Sequence, residues 1–75
     1  MGARMTYLTL RKELTPFELN LLGALSVGET VVEIAARTNR SVNTIRTQLK
    51  SIHFKFGTHS IAHSVAQAFR LGLIH

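Results

Sequence analysis

The sequence predicts an all-α fold of four short helices. Four times along the chain, a Ser or Thr stands where its side chain can cap the start of a helix. After each cap, apolar residues recur every three or four positions, which is the period of one helix face. Gly or Asn follows each apolar run and can end the helix in a left-handed conformation. Only residues 6–10 alternate weakly as a β-strand would, so no sheet is expected.

The first two helices begin with the same capping box. In TPFE at 15–18 and TVVE at 30–33, the Thr hydroxyl and the Glu carboxylate each accept a backbone N–H of the other residue. We expect the first helix over about residues 16–26, with Gly28 as its stop, and the second to end near Thr38. The apolar surface of the second helix is expected to come from Val32, Ile34 and Ala35.

The third and fourth helices follow a short link at Asn39-Arg40. Ser41 caps the third helix and Gly57 ends it, while Ser60 caps a fourth helix that runs to about Leu71. A turn this short between two helices is typical of the helix-turn-helix motif, whose second helix enters the major groove of DNA. The inward-facing residues of the fourth helix are predicted to be Ile61, Val65, Ala68 and Phe69.

The charge of the chain is divided unevenly. The net charge is +5, yet all four acidic residues lie in the first 33 positions, and residues 34–75 contain no Asp or Glu. A segment with charge of one sign suits a polyanionic partner, and nucleic acid is the usual one. A solubility face is the alternative, although such faces normally mix both signs. The basic residues of this segment are Arg37, Arg40, Arg46, Lys50, Lys55 and Arg70.

The third helix has two different faces. Its apolar stripe consists of Ile45, Leu49, Ile52 and Phe56. On the other side, Arg46 and Lys50 can each reach a guanine edge, with simple phosphate contact as the alternative. Thr47 can offer its methyl group to thymine or its hydroxyl to phosphate, and Asn43 can pair with adenine or assist the helix start. This pattern favours a recognition helix.

The spacing of many residues is that of a known family. The matching residues are Leu14-Thr15-Pro16, Glu18, Gly28, Val32, Ile34-Ala35, Ser41, Thr44-Ile45-Arg46, Leu49, Ile52, Lys55-Phe56-Gly57 and Gly72-Leu73-Ile74. This ordered set resembles the LuxR-type DNA-binding domain, a family that includes small GerE-like regulators. The match runs without gaps over residues 14–74, about four-fifths of the chain.

The resemblance implies a four-helix domain at residues 14–75 that follows an N-terminal arm at 1–13. Such a domain regulates bacterial transcription and binds an inverted-repeat DNA site as a homodimer, in the cytoplasm and associated with the nucleoid. The resemblance implies base contacts from Arg46, Thr47 and Lys50, to which the residue types add Asn43. Phosphate contacts are implied for Ser41, Thr44 and Lys55, with Arg40 added. The implied dimer contacts on the last helix are Ala62, Ala66, Phe69 and Arg70.

Three residues depart from the family pattern where a partner could bind. Phe17 replaces a basic residue, Arg40 replaces Ile or Leu, and Phe54 replaces a charged residue. Phe54 could be covered by the arm, contact a partner protein, or lie near DNA. The alternative function is therefore a small interaction module that dimerises with another LuxR-type regulator or blocks it. A third hypothesis is a basic domain that coats DNA without choosing its sequence. The arm residues proposed to cover Phe54 are Tyr7, Leu8 and Leu10.

Several other function classes lack their sequence signals. His59 and His63 have the spacing of a helical zinc pair, but the chain has no Cys and spacing places no third ligand nearby. No nucleophile has a base at a suitable spacing, so we expect no enzyme. No apolar run reaches the roughly 18 residues of a membrane span. We therefore expect no metal, cofactor, small-molecule ligand or membrane contact.

Overall fold

The structure, a computed structural model of the chain, describes residues 13–75. Within this range it is all-helical, as predicted, and no described residue belongs to a β-strand. None of the helices in this range is long and apolar enough to cross a membrane. The helices are α1 at Pro16–Ser26, α2 at Val31–Arg37, α3 at Val42–Phe56 and α4 at Ile61–Arg70.

The helices begin at the caps that the sequence predicts. In the first box, the Thr15 hydroxyl accepts the Glu18 amide at 3.1 Å and the Glu18 carboxylate accepts the Thr15 amide at 2.9 Å. The second box repeats this exchange between Thr30 and Glu33 at 3.1 and 2.8 Å. Ser60 accepts the amide of the third residue of α4 at 3.1 Å. These bonds satisfy N–H groups that a helix start leaves without an intrahelical partner.

The predicted stop residues also take the expected conformations. Gly57 ends α3 with φ of 69°, where its amide donates to the carbonyl of His53. Asn39, between α2 and α3, has φ of 56°, a value that Asn tolerates better than most residues. Such a residue lets the chain turn sharply, so α2 and α3 pack against each other as neighbours. The link between them is the short turn that the sequence predicts.

The core lies where α1 packs against the other three helices. Leu22, Ile45 and Ile52 are fully buried, and α1 contacts α2, α3 and α4. The prediction for α2 was right for Ile34 and Ala35, which are buried, and wrong for Val32, which is 64% exposed. The adjacent valine packs against the core instead. The remaining buried apolar residues are Leu14, Leu21, Leu49, Ala68, Leu73 and Ile74.

The inward face of α4 differs from the prediction. Ala68 is buried and Val65 packs against the core, but Ile61 is 37% exposed and Phe69 is 46% exposed. Ser64 on α4 is fully buried, as is Ala68. Its hydroxyl lies 2.6 Å from that of buried Thr58, so the two polar groups satisfy each other inside the domain. The apolar period alone could not reveal this pair, because both residues read as polar surface.

The N-terminal arm falls almost wholly outside the described residues. The proposed cover of Phe54 by Tyr7, Leu8 and Leu10 lies there too. Leu14, the first residue of the predicted domain, is 4% exposed and belongs to the core. The boundary between arm and domain stays a prediction.

Candidate nucleic-acid interface

The exposed face of α3 is polar and basic except at Phe54. Ile45, Leu49 and Ile52 are buried and seat the helix on the domain. The exposed positions of the helix are Asn43, Thr44, Arg46, Thr47, Lys50 and Phe54. Asn43, Thr47, Lys50 and Phe54 are spaced by four, three and four residues, which aligns them along one stripe of a helix. We call these four residues the groove stripe, with Arg46 beside it.

The cations of this region fall into two groups. Arg37 and Lys55 form ion pairs with Glu29 and Glu18 at 2.7 and 2.8 Å. No carboxylate within residues 13–75 pairs with the other four cations of the acid-free segment. Unpaired guanidinium and ammonium groups keep their full charge for an external anion. These unpaired cations are Arg40, Arg46, Lys50 and Arg70.

The two cations on the face of α3 border an apolar recess. Arg46 and Lys50 line a pocket of about 240 Å³ with Leu49, His53 and Ile61. His53 is half-buried. Its Nε2 atom is buried and lacks a hydrogen-bond partner among the described residues. The stems of the two basic side chains therefore rest beside apolar surface, an arrangement that suits long cationic side chains.

The two uncharged polar residues of the groove stripe differ in whether their side chains are already hydrogen-bonded. The Thr47 hydroxyl donates to the Asn43 carbonyl at 3.0 Å, so its hydrogen is used within the helix. No hydrogen bond occupies the Asn43 side-chain amide within residues 13–75. Two roles are predicted for Asn43. The hydrogen bonds at the start of α3 therefore do not support the role in which its side chain assists that start.

The start of α3 is held by Ser41. Its hydroxyl accepts the Thr44 amide at 3.0 Å and lies 2.9 Å from the Thr44 hydroxyl. Both residues are exposed, and the first turn of α3 contains no acidic side chain. A helix N-terminus with exposed N–H groups and no nearby carboxylate favours an anion such as a phosphate. The predicted capping role of Ser41 is confirmed.

Lys55 is placed differently from the phosphate contact expected of it. Its ammonium donates to a Glu18 carboxylate oxygen at 2.8 Å and to the Glu13 carbonyl at 2.7 Å, and its side chain is only 19% exposed. The physical reason is Glu18, which is 1% exposed and needs a counter-charge inside the domain. The contact fastens the C-terminal end of α3 to the start of α1. Lys55 therefore helps to hold α3 against the start of α1.

The surroundings of Glu18 keep this carboxyl ionised. Burial raises the pKa of Glu18, but the hydrogen bond and charge of Lys55, with the Thr15 amide, outweigh burial and leave that pKa below its ordinary value. No local sequence signal names Lys55 as the partner, because 37 residues separate the two.

Arg40 and Phe17, two departures from the family pattern, lie against each other. The Arg40 guanidinium carbon is 4.1 Å from the centre of the Phe17 ring, a cation–π geometry. Arg40 also donates a long hydrogen bond of 3.4 Å to the Thr38 carbonyl. Because Arg40 stays exposed, its charge remains available to an external anion. Phe17 is half-buried and covered in part by this contact, which leaves less of it free for a partner protein.

The four predicted dimer residues lie on one accessible side of α4. Ala62, Phe69 and Arg70 are exposed and Ala66 is half-buried. Their spacing of four, three and one residues keeps them on neighbouring parts of the helix surface. Phe69 is 46% exposed, which leaves a large apolar surface without a cover in the single chain. This side of α4 can therefore pair with another apolar surface.

Residues 13–75 contain no group of three or more His, Cys, Asp or Glu side chains that could hold a metal ion. His59 and His63, with the spacing of a zinc pair, are both exposed at the start of α4.

A tight α2–α3 turn followed by a well-seated helix with an exposed basic face defines a helix-turn-helix domain. The chain belongs to the luxR family of bacterial regulatory proteins, whose family model matches residues 12–68. It is 44% identical over 55 residues to the "Probable transcriptional regulatory protein SgaR" of Hyphomicrobium methylovorum. This alignment covers 73% of the chain and 26% of that relative, so the chain spans about a quarter of the relative's length. A comparison with solved structures gives no significant match.

Proposed function

We propose that this protein regulates bacterial transcription by binding a specific DNA sequence. The observation that carries this proposal is the groove stripe with Arg46, an exposed polar and basic face on the second helix of a helix-turn-helix pair. Arg46 and Lys50 suit guanine edges, and Asn43 suits adenine. Thr47, whose hydroxyl hydrogen is bonded to the helix, suits an apolar contact with a thymine methyl group. Family membership and the name of the relative both support a regulatory role.

The proposed phosphate contacts surround the start of the recognition helix. Ser41 and Thr44 stand at its N-terminus, where backbone N–H groups favour an anion. Arg40 adds a full positive charge at the preceding turn, and the Phe17 ring restricts where its guanidinium can lie. These contacts supply affinity and register, while the groove stripe supplies sequence choice. Lys55 is left out because Glu18 holds it.

We further propose that two copies pair through α4 and bind an inverted repeat. A symmetric dimer presents the same face of α4 from each copy, so Phe69 of one copy would cover the apolar face of the other. Two recognition helices related by a two-fold axis match two half-sites separated by about one turn of DNA. The competing module hypothesis uses the same face of α4, with a different LuxR-type chain as the second copy.

The experiment is selection of preferred sites from random duplexes, followed by titration of the selected site at several salt concentrations. We expect a site with inverted symmetry and an affinity that falls steeply as salt rises, because phosphate contacts release counterions. Arg46→Ala should relax base choice at one position of each half-site. Arg40→Gln should weaken binding to every duplex alike and lower the salt slope by about one.

Arg37→Gln is the charge-matched control, because Glu29 already neutralises this residue. It should change neither base choice nor the salt slope by as much as the two test variants. Selection that returns no preferred sequence would favour the coating hypothesis. Two results together would favour the module hypothesis. The native chain would bind no DNA, and its binding to another LuxR-type regulator would survive the joint replacement of Arg46 and Lys50.

A further inference from the structure

The most exposed large apolar side chain among residues 13–75 is that of Phe54, on α3. It is 89% exposed, whereas Phe56, two residues further on, packs against the core. Leaving a phenyl ring in water forgoes the favourable free energy of burying it. A surface that covers Phe54 would therefore gain from doing so.

The position of Phe54 on the helix favours one kind of surface. It aligns with Asn43, Thr47 and Lys50 in the groove stripe, on the side opposite buried Ile52. A partner that docks on the stripe must therefore also approach Phe54. The rest of the stripe carries hydrogen-bonding groups and a free cation with no carboxylate. These are features of a surface for DNA, since the centre of a protein interface is depleted in charge.

The chemistry of the ring narrows the contact within DNA. A phenyl group neither donates nor accepts a conventional hydrogen bond, so it gains little from a phosphate or from a polar base edge. The apolar group that the major groove displays is the C5-methyl of thymine, and Phe is one of the side chains that contact it. Cytosine, adenine and guanine offer no methyl group there. Phe54 can thus distinguish a T from the other bases without a hydrogen bond.

We propose that Phe54 is a specificity-determining residue that reads a thymine methyl group at one end of each half-site. This inference rests on the proposed function. Phe54 follows Lys50 by four residues, or about 6 Å of helix at roughly 1.5 Å per residue. With the helix lying along the groove, that distance corresponds to about two base pairs at roughly 3.4 Å each. The selected half-site should therefore contain a T about two base pairs from the pair that Lys50 contacts.

The test replaces the methyl group and the ring separately and together. Replacing that thymine by uracil removes only the methyl group, and Phe54→Ala removes only the ring. With the native chain, we expect uracil to weaken binding about fourfold, as loss of one buried methyl should. Phe54→Ala should weaken binding to the thymine duplex by roughly tenfold, and should remove the difference between thymine and uracil. A duplex with 5-methylcytosine at that position carries the methyl group on a different base. The native chain should therefore bind it more tightly than the same duplex with cytosine, and regain part of its affinity for the thymine duplex.

Val27→Ala is the matched control, because Val27 is 81% exposed at the end of α1, outside the recognition helix. It should leave both duplex affinities unchanged. Thermal unfolding of Phe54→Ala should match that of the native chain, since the ring has few contacts to lose.

Three results separate the possible failures. If Phe54→Ala binds the selected site with native affinity and still distinguishes thymine from uracil, the inference is overturned and the proposed function stands. If that variant instead loses binding to another regulator chain, Phe54 belongs to a protein interface and the inference is also overturned. If the native chain prefers no duplex at all, the proposed function itself fails.

Discussion

The two capping boxes of this domain are alike in sequence and unlike in their surroundings. TPFE at 15–18 and TVVE at 30–33 make the same two hydrogen bonds, at nearly the same lengths. Among residues 13–75, Glu33 is exposed and bonds only within its box, whereas Glu18 is 1% exposed and also accepts the ammonium of Lys55. The same four-residue pattern thus only begins a helix at 30–33, whereas at 15–18 it also joins α1 to α3 through Lys55.

This difference concerns what holds α3 in place. An exposed capping box stabilises its own helix by about 1 kcal/mol. The buried box adds an ion pair whose partners are costly to separate, because either one alone would be a buried uncompensated charge. The comparison can be tested by removing each part in turn.

Lys55→Met should give the largest loss of stability. It leaves the Glu18 carboxylate buried without its counter-charge, which costs about 3 kcal/mol or more. That is a large part of the free energy of unfolding expected for a domain of this size. Urea unfolding followed by circular dichroism measures it.

The double variant with Glu18→Gln should recover part of that loss, because no charge is then left buried. If Lys55→Met is as stable as the native chain, the ion pair does not stabilise the fold. Lys55 then becomes available for the phosphate contact first expected of it.

Acidification should reduce stability through the buried box. The pKa of Glu18 is lowered in the folded chain, so its contribution is fully present above the unfolded pKa and is lost as pH falls through the folded value. The free energy of unfolding should therefore decrease as pH falls below about 4.5, and less so in Glu18→Gln. Arg37 also lowers the pKa of Glu29, so Glu29→Gln is the variant that measures this second contribution. An acid profile that Glu18→Gln leaves unchanged would contradict the prediction.

Thr30→Ala should have an intermediate effect. It removes the hydroxyl that accepts the Glu33 amide and leaves the rest of the exposed box in place. The expected loss is about 1 kcal/mol, the usual cost of deleting a Thr cap. Thr30→Ser keeps the hydroxyl and should retain most of the native stability in the same urea titration. A loss as large as that of Lys55→Met would mean that the two boxes do not differ as their surroundings indicate.

The smallest effect is expected from Arg37→Ala. The ion pair with Glu29 is short, at 2.7 Å through two guanidinium nitrogens, but it lies on the surface. Exposed ion pairs add little to stability, because water and salt screen their charges and both side chains lose conformational freedom. The melting temperature should shift less than in any variant above, and salt should reduce even that difference. A shift at high salt that equals the shift at low salt would count against a screened surface pair.

The sequence was a good guide where a contact is local. The helix starts and the ends at Asn39 and Gly57 depend on residues within a few positions of each other, so short-range chemistry specifies them. The sequence also identified the exposed side of α3, because its apolar stripe is regular and its polar side carries one sign of charge. The base-contacting roles of Arg46 and Lys50 stay predictions.

The sequence was a poor guide where neighbouring candidates compete for one buried place. Val31 and Val32 are equally apolar, and the structure packs Val31 and not Val32 against the core. On α4, the small Ser64 is buried against Thr58, and Phe69 is 46% exposed. The apolar or polar character of a residue does not decide such choices by itself.

By itself, then, the sequence determined the helices, their order, the short turn and the one-signed face, because each depends on neighbours along the chain or on composition. Packing of the helices decided two contacts, that of Lys55 with Glu18 and that of Arg40 with Phe17. Each of these depends on a distance between elements, and those distances exist only after the helices have packed. The physical reason is that burial and ion pairing act through space, whereas capping and turn chemistry act along the chain.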